Sequence, residues 1–334
     1  DKRWLLQRKT SNRSKEKRER GRRNFSLIMP RHISLVFPGQ GSQSVGMLDD
    51  FNQEDFLSIK SAIADLPFDL LDIIKNGPED IINKTSVTQP ALLATSYLHY
   101  KRFLSLTNIV PNIIAGHSLG EYSALVVSDS IELKKAISLV HKRGLLMESS
   151  EKGSMFAVLN LDLFSINDIC KKVSESTGLI VSPANINSPN QIVIAGHEVA
   201  AKLAADLCKE AGAKRCIQLK VGAASHCRLM ESASKLLLSE LSVINFNEPS
   251  IPVVHNYDAS TETTSINIRE KLTNQLTSPV QWIDTMNLIN EFNGIIIECG
   301  PGKVLSGLAK SNGLDNILST SSNNFKEEFY ELYE

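Results

Sequence analysis

The chain has 334 residues, 42% hydrophobic and 22% charged, the balance of a soluble globular protein long enough for one large core or a core carrying a smaller inserted unit. The net charge of −1 conceals an asymmetry: residues 1–28 hold 11 Lys/Arg against 3 Asp/Glu, and the remainder 25 against 34, a net of −9. Five cysteines without a C-x-x-C pair indicate neither a zinc site nor a disulfide framework, and no apolar run approaches the ~20 residues that span a bilayer, so a cytoplasmic enzyme is expected.

Residues 1–28 are densely charged and poor in apolar side chains, so they read as a disordered basic tail, with Met29 as the natural start. Ile33-Ser34-Leu35-Val36-Phe37 has the pattern of a short buried strand, ended by Pro38-Gly39-Gln40-Gly41-Ser42-Gln43 and an expected helix. The glycine spacing fits neither a dinucleotide fingerprint nor a phosphate loop; it suits an amide-lined loop for an oxyanion. Residues 51–110 read as helices broken at Pro67 and at Asn76-Gly77-Pro78, with Gln89-Pro90 opening an apolar helix from Ala91 to about Leu104.

Ile113 to Val127 is the stretch that carries chemistry. A β-branched run stops at Gly116 and a helix is expected after Gly120, so Ser118 falls on the turn of a Gly116-His117-Ser118-Leu119-Gly120 pattern, a nucleophile elbow. Its hydroxyl is pushed out at a helix N-terminus, where free N–H groups favour an oxyanion. A bland alternative is that Ser118 and Glu121 form a helix capping box. Leu133, Ala136, Ile137, Val140, Gly144 and Met147 then keep helical period, with Arg143 at the edge of their apolar face, either a snorkelling surface residue or an anion clamp.

From Gly153 to Val221 the order changes to strand, helix, strand, strand, helix, strand, with Asn187-Ser188-Pro189-Asn190 as the central turn. That order is a ferredoxin-like unit, read as inserted, with the active site in the cleft beside it. Afterwards come a helix to about Leu241, a strand at Ile251–Val254, and a helix from about Asn267 to Leu276 closed by Ser278-Pro279. A buried strand at Gly294–Cys299 follows, turned by Gly300-Pro301-Gly302 into a last helix. Strands separated by helices imply a parallel α/β sheet.

A serine hydroxyl needs a general base, and the candidates are the seven histidines. His32 and His99 have no turn beside them, His117 reads as packing, and His141 and His197 read as solvated. His226 and His255, both at strand or loop edges, stay open as the base.

Together, Val36–Gln43, Gly116–Ala124, Ala195-Gly196-His197, Ser225-His226-Cys227 and Glu298–Lys303 resemble the malonyl-CoA:acyl carrier protein transacylases, over about Ile33 to Lys310. The resemblance implies an α/β-hydrolase-like core with a parallel sheet, residues 29–152 and 223–325, and a ferredoxin-like subdomain at 153–222. It implies Ser118 as nucleophile, His226 as base, and the Gln275 main-chain carbonyl orienting the imidazole. Gln40 and Leu119 would supply oxyanion N–H groups, Arg143 would hold the malonyl carboxylate, and Asn187 would line the pocket. Ala224 departs from the family, whose members often carry proline there. The implied partners are malonyl-CoA and an acidic acyl carrier protein, with Lys303 and Lys310 as candidate contacts; no metal or redox cofactor, nucleic acid or membrane is implied, and a monomer is expected. Two rivals stand beside it: an esterase or thioesterase with Glu248 and His255 following the serine, and a non-catalytic interaction protein that binds nucleic acid through its tail.

Overall fold

The structure, a computed structural model, describes residues 31–333; the expected basic tail and the start at Met29 lie outside the described residues. From His32 the chain enters β1 (Ile33–Phe37), buried along its whole length, Ser34 included, as suits a strand covered on both faces. The helix expected directly after Gln43 does not form. Residues 40–50 run in turns, and α1 (Gln53–Ile63) begins only where Asn52 and Asp55 supply a reciprocal capping box. The short helices α2 (Leu70–Asn76) and α3 (Glu79–Ile82) lead into α4 (Thr85–Thr107).

Helix α4 starts five residues before Pro90 and so carries the proline inside it, contrary to the expectation that Gln89-Pro90 opens the helix. Proline lacks the N–H that would bond the carbonyl four residues back. The carbonyl left over, that of Ser86, accepts instead from His141 Nδ1 at 2.8 Å, so His141 is engaged in the fold rather than solvated. Next come β2 (Ile113–Gly116), α5 (Gly120–Val127) and α6 (Leu133–Glu148). Gly144 on α6 faces α4 so closely that a Cβ would run into the Ser86 backbone. This close approach brings the neighbouring Arg143 inside, fully buried, where the helical period alone puts it at the edge of the apolar face.

The following unit contains β3 (Ser154–Leu159), α7 (Leu163–Thr177), β4 (Val181–Ser188), β5 (Gln191–Gly196), α8 (Glu198–Glu210) and β6 (Arg215–Gln218). Its four strands form an antiparallel sheet in the order β4-β5-β3-β6. Strand β4 runs to Ser188, so the turn is tighter than the four residues expected and rests on Pro189 and Asn190. The sheet has its own core, in which Val158, Ile192 and Ile194 pack against Ile166, Val173 and the alanines of α8. His197, expected in solvent, accepts from Ile180 N through Nδ1 at 2.9 Å and meets Glu151 through Nε2.

The chain returns through a 3-10 turn (Arg228–Met230), α9 (Glu231–Ser242), β7 (Val253–Val254), α10 (Ser265–Gln275), α11 (Trp282–Asn290), β8 (Ile295–Glu298), α12 (Val304–Ser311), β9 (Ile317–Ser319) and α13 (Phe325–Tyr333). Strand β7 is shorter than the Ile251–Val254 segment, since Pro252 has no N–H to donate and only its carbonyl serves, accepting from Ile114 N at 2.9 Å. The larger sheet, order β7-β2-β1-β8-β9, is parallel throughout. Helices α11 and α13 and strand β9 have no counterpart in the expected elements. Helix α13 lies largely past the expected core limit at 325, and its Phe325 and Phe329 pack against Phe103 of α4; removing one such buried ring typically costs ~3–5 kcal/mol.

The two sheets are tied where β4 meets the segment after α10: Ile186 N donates to Val280 O, and Val280 N to Ala184 O, both at 2.9 Å. Two residues on, the buried Trp282 enters the core beside Val36, Ala115 and Val254. This seam puts the end of β4 beside the C-terminal ends of β1 and β2, where ligand crevices form in open parallel sheets.

Candidate active site

Ser118 sits between β2 and α5 with a φ of 52°, a left-handed conformation that costs a non-glycine residue roughly 1–3 kcal/mol and is held by its surroundings. A Cβ on Gly116 would run into the backbone of Gly120, so the turn can close only over glycine. Asn256, two residues past the end of β7, holds the elbow from beneath: its Oδ1 accepts from Ser118 N and its Nδ2 donates to Gly116 O, both at 2.6 Å. The capping-box reading of Ser118 and Glu121 does not hold. No side chain caps α5, and Glu121 is turned inward.

Ser118 Oγ lies 2.8 Å from His226 Nε2. His226 also has a positive φ, 62°, and is 1% exposed. Its Nδ1 lies 2.7 Å from the Gln275 main-chain oxygen, which can only accept, so the proton sits on Nδ1 and Nε2 is left with a lone pair facing the serine hydroxyl. Burial, followed by the positive charge of Arg143, pushes the His226 pKa down to about 3, so the ring is neutral near pH 7. His255 makes no hydrogen bond to the hydroxyl. It is fully buried with Nδ1 2.7 Å from Glu121 Oε1, and Glu248 is exposed.

Arg143 Nη1 donates to Gln89 Oε1 at 2.8 Å, and Nη2 reaches Gln275 Oε1 at 3.0 Å and Ser118 Oγ at 3.5 Å. The guanidinium also lies over the Tyr122 ring, 5.4 Å from its centre, and burial pushes the Tyr122 hydroxyl up to about 12. Arg143 makes no ion pair among the described residues, and its Nε has no hydrogen-bond partner there. The buried Glu121 carboxylate acts on the guanidinium only from behind Gln275, without direct contact, so the side facing the nucleophile favours an anion.

Two adjoining cavities open over the elbow. One, about 90 Å³, is lined by Ser118, His226, Gln40, Thr85 and Met155; the other, about 190 Å³, by Gln40, His117, Asn187, Leu305 and Leu308. His117 therefore lines the cleft instead of serving only as packing. Its Nε2 donates to Asn187 Oδ1 at 2.8 Å, and its ring meets the edge of Trp282. A larger cavity, about 460 Å³ near Lys134, Lys142 and Glu240, contains none of these groups, so chemistry rather than size identifies the site.

Of the residues singled out in the sequence, Ser118, His226, Gln275 and Arg143 converge on one hydroxyl. Gln40 and Asn187 line the cleft, and Leu119 is buried where α5 begins. Three further residues join them: Gln89, Glu121 and Asn256. Asn256 lies just past the end of a short strand, a position where site residues collect, and that is the one local signal it carries. Among the described residues no cluster of side chains could hold a metal ion, and no helix is long and apolar enough to cross a membrane.

An acyl transferase domain profile matches residues 34–313. The chain is 45% identical over 287 residues to a malonyl CoA-acyl carrier protein transacylase of Haemophilus influenzae, covering 83% of this chain and 91% of that one. It also resembles the solved malonyl CoA-acyl carrier protein transacylase of Coxiella burnetii, with a TM-score of 0.87 and 35% identity over 92% of this chain and all of the other. A malonyl-transacylase solved in complex with a type II PKS acyl-carrier protein aligns with a TM-score of 0.84 and 41% identity, covering 90% and 99% of the two chains. The chain thus belongs to the malonyl-CoA:acyl carrier protein transacylase family of acyl transferases.

Proposed function

We propose that this protein moves a malonyl group from malonyl-CoA, through an ester on Ser118, to the phosphopantetheine thiol of an acyl carrier protein in fatty acid biosynthesis. The observation that carries this reading is Arg143, a fully buried guanidinium with no ion pair among the described residues, 3.5 Å from the Ser118 hydroxyl. An acyl group that brings its own carboxylate satisfies it; a simple alkyl acyl group leaves it unpaired.

Ser118 Oγ attacks the thioester carbonyl while His226 Nε2 takes its proton, and the backbone N–H groups of Gln40 and Leu119 receive the oxyanion. Collapse breaks the carbon–sulfur bond, and His226 returns the proton to the departing coenzyme A thiolate. The carrier thiol then gives its proton to His226 and attacks the ester, and the proton passes back to Ser118 Oγ as the ester breaks. The Gln275 carbonyl holds the imidazole throughout. No step changes an oxidation state, so the chemistry asks for no redox group.

The same reading takes residues 29–152 and 223–325 as an α/β-hydrolase-like core and 153–222 as a ferredoxin-like subdomain, supported by the parallel larger sheet and the β4-β5-β3-β6 order of the smaller one. Lys303 and Lys310, exposed at the two ends of α12 whose Leu305 and Leu308 line the cleft, are suited to an acidic carrier.

Incubation with malonyl-CoA should add one malonyl group to the intact protein, on the peptide that contains Ser118, and a carrier bearing phosphopantetheine should remove it. Rapid release as free malonate without a carrier would favour a thioesterase instead. Because His226 stays unprotonated down to about pH 3, acylation measured as kcat/KM should hold its plateau from about pH 8 to about pH 5. A histidine at the ordinary 6.5 would lose roughly 30-fold over that range, and a fall centred near 6.5 would contradict a neutral, buried base.

A further inference from the structure

Glu121 is fully buried one residue into α5, and three residues around the elbow bond to it. Oε1 accepts from His255 Nδ1 at 2.7 Å, and Oε2 accepts from Asn256 N at 3.0 Å and Gln275 Nε2 at 2.6 Å. Gln275 Nε2 also donates to Ser118 O at 3.1 Å, while its Oε1 accepts from Arg143 Nη2 at 3.0 Å. Asn256, held at its own N–H by Glu121, is the residue that bonds the elbow backbone.

A side-chain amide has a donor end and an acceptor end, and packing alone scarcely distinguishes them. Glu121 does. Both of its oxygens face N–H donors, so it draws the Gln275 NH2 toward itself and leaves the amide oxygen facing Arg143. Turned over, the amide would set its oxygen against a carboxylate and its NH2 against a guanidinium, two repulsive contacts where there are now two hydrogen bonds. His255 supplies the partner of the other carboxyl oxygen. Burial disfavours protonation of His255, but the hydrogen bond and charge of Glu121 outweigh it and raise its pKa.

We propose that Glu121 and His255 are positioning residues that fix the facing of the Gln275 amide and thereby aim Arg143 at the carboxylate of the acyl group. Neither touches the reacting atoms; both act on Arg143 through Gln275, and Glu121 also steadies the elbow through Asn256. The inference rests on the transfer reaction proposed above and deepens it, by assigning acyl-group selectivity to a buried pair one shell away from the substrate.

The test compares kcat/KM for acylation by malonyl-CoA and by acetyl-CoA in the full chain and in Glu121→Gln, His255→Asn and His255→Leu, with thermal melting recorded alongside. Glu121→Gln keeps the shape but can offer either end to Gln275, so the malonyl-to-acetyl ratio should fall by about 10- to 100-fold, the scale of one buried hydrogen-bonded partner. The loss should appear chiefly in KM for malonyl-CoA, and acetyl transfer should fall less than malonyl transfer. His255→Asn retains an N–H at the δ position and should preserve the ratio; His255→Leu removes the donor and should lower it. Equal losses on both substrates in Glu121→Gln, or an unchanged ratio, would overturn the inference. If that variant unfolds, the His255 pair decides, and equal ratios in His255→Asn and His255→Leu would overturn it. A parent protein that acquires no malonyl group on Ser118 would overturn the proposed function itself, a distinguishable failure.

Discussion

Replacing His226 with alanine is expected to slow acylation of Ser118 by ~10²–10⁴, the usual worth of a positioned general base, and replacing Ser118 with alanine is expected to abolish it. The first expectation follows from a chain of two short contacts: the Gln275 carbonyl 2.7 Å from Nδ1, and the serine hydroxyl 2.8 Å from Nε2. Since the carbonyl cannot donate, it fixes the tautomer, and the nitrogen facing Ser118 is always the one able to accept. Alanine removes that acceptor and leaves the hydroxyl beside Arg143, which can only donate. Single-turnover acylation with malonyl-CoA, followed by intact mass, measures both variants. A Ser118→Ala protein that labels as well as the parent would move the ester elsewhere, and a His226→Ala protein within a few fold of the parent would mean that another group accepts the proton.

The elements legible in the sequence are those whose cause is local. The elbow can be read because two glycines and a β-branched run are adjacent, and the strands of the smaller sheet because their apolar pattern alternates with helical segments of ordinary length. The helix at 282–290 carries a signal that the reading passes over: Trp282, Thr285, Met286 and Ile289 are buried at helical spacing, directly after the Ser278-Pro279 stop. Strand β9 is three residues long and carries too little pattern to register.

At the site, local signals reach the residues on the elbow and point to two edge histidines without separating them. What separates them is a partner far away in sequence. His226 meets a serine 108 residues away, and His255 a glutamate 134 residues away. Glu121 shows the limit plainly. Its spacing from Ser118 matches a capping box, yet its three partners all come from residues 255–275, so a local pattern competes with a tertiary network and loses. Arg143 is similar. A helical wheel counts apolar neighbours on its own helix, and what buries this arginine is α4 closing on Gly144 and Gln275 closing from α10.

The same burial makes Arg143→Ala the sharpest probe of which acyl group the site takes. A desolvated pair between guanidinium and carboxylate is worth a great deal when one partner is removed, commonly ~2–5 kcal/mol. Malonyl-CoA kcat/KM should therefore fall by roughly 30-fold to several thousandfold. Acetyl-CoA has no carboxylate, so its transfer never used the pair. Acetyl transfer should therefore lose far less than malonyl transfer, and the ratio of the two should shift toward acetyl-CoA. Arginine also holds Gln89 and Gln275 in place at 2.8 and 3.0 Å, so alanine carries a structural cost. That cost falls on both substrates equally and cancels in their ratio. Arg143→Lys should restore the charge without the fork and recover the ratio only in part, since an ammonium cannot reach Gln89, Gln275 and a carboxylate from one plane. The measurement is kcat/KM for the two thioesters in parent, alanine and lysine proteins. Equal losses on malonyl-CoA and acetyl-CoA in Arg143→Ala would show that the arginine serves the fold alone, and the partner of the acyl carboxylate would then have to be sought among the other residues of the cleft, beginning with His117.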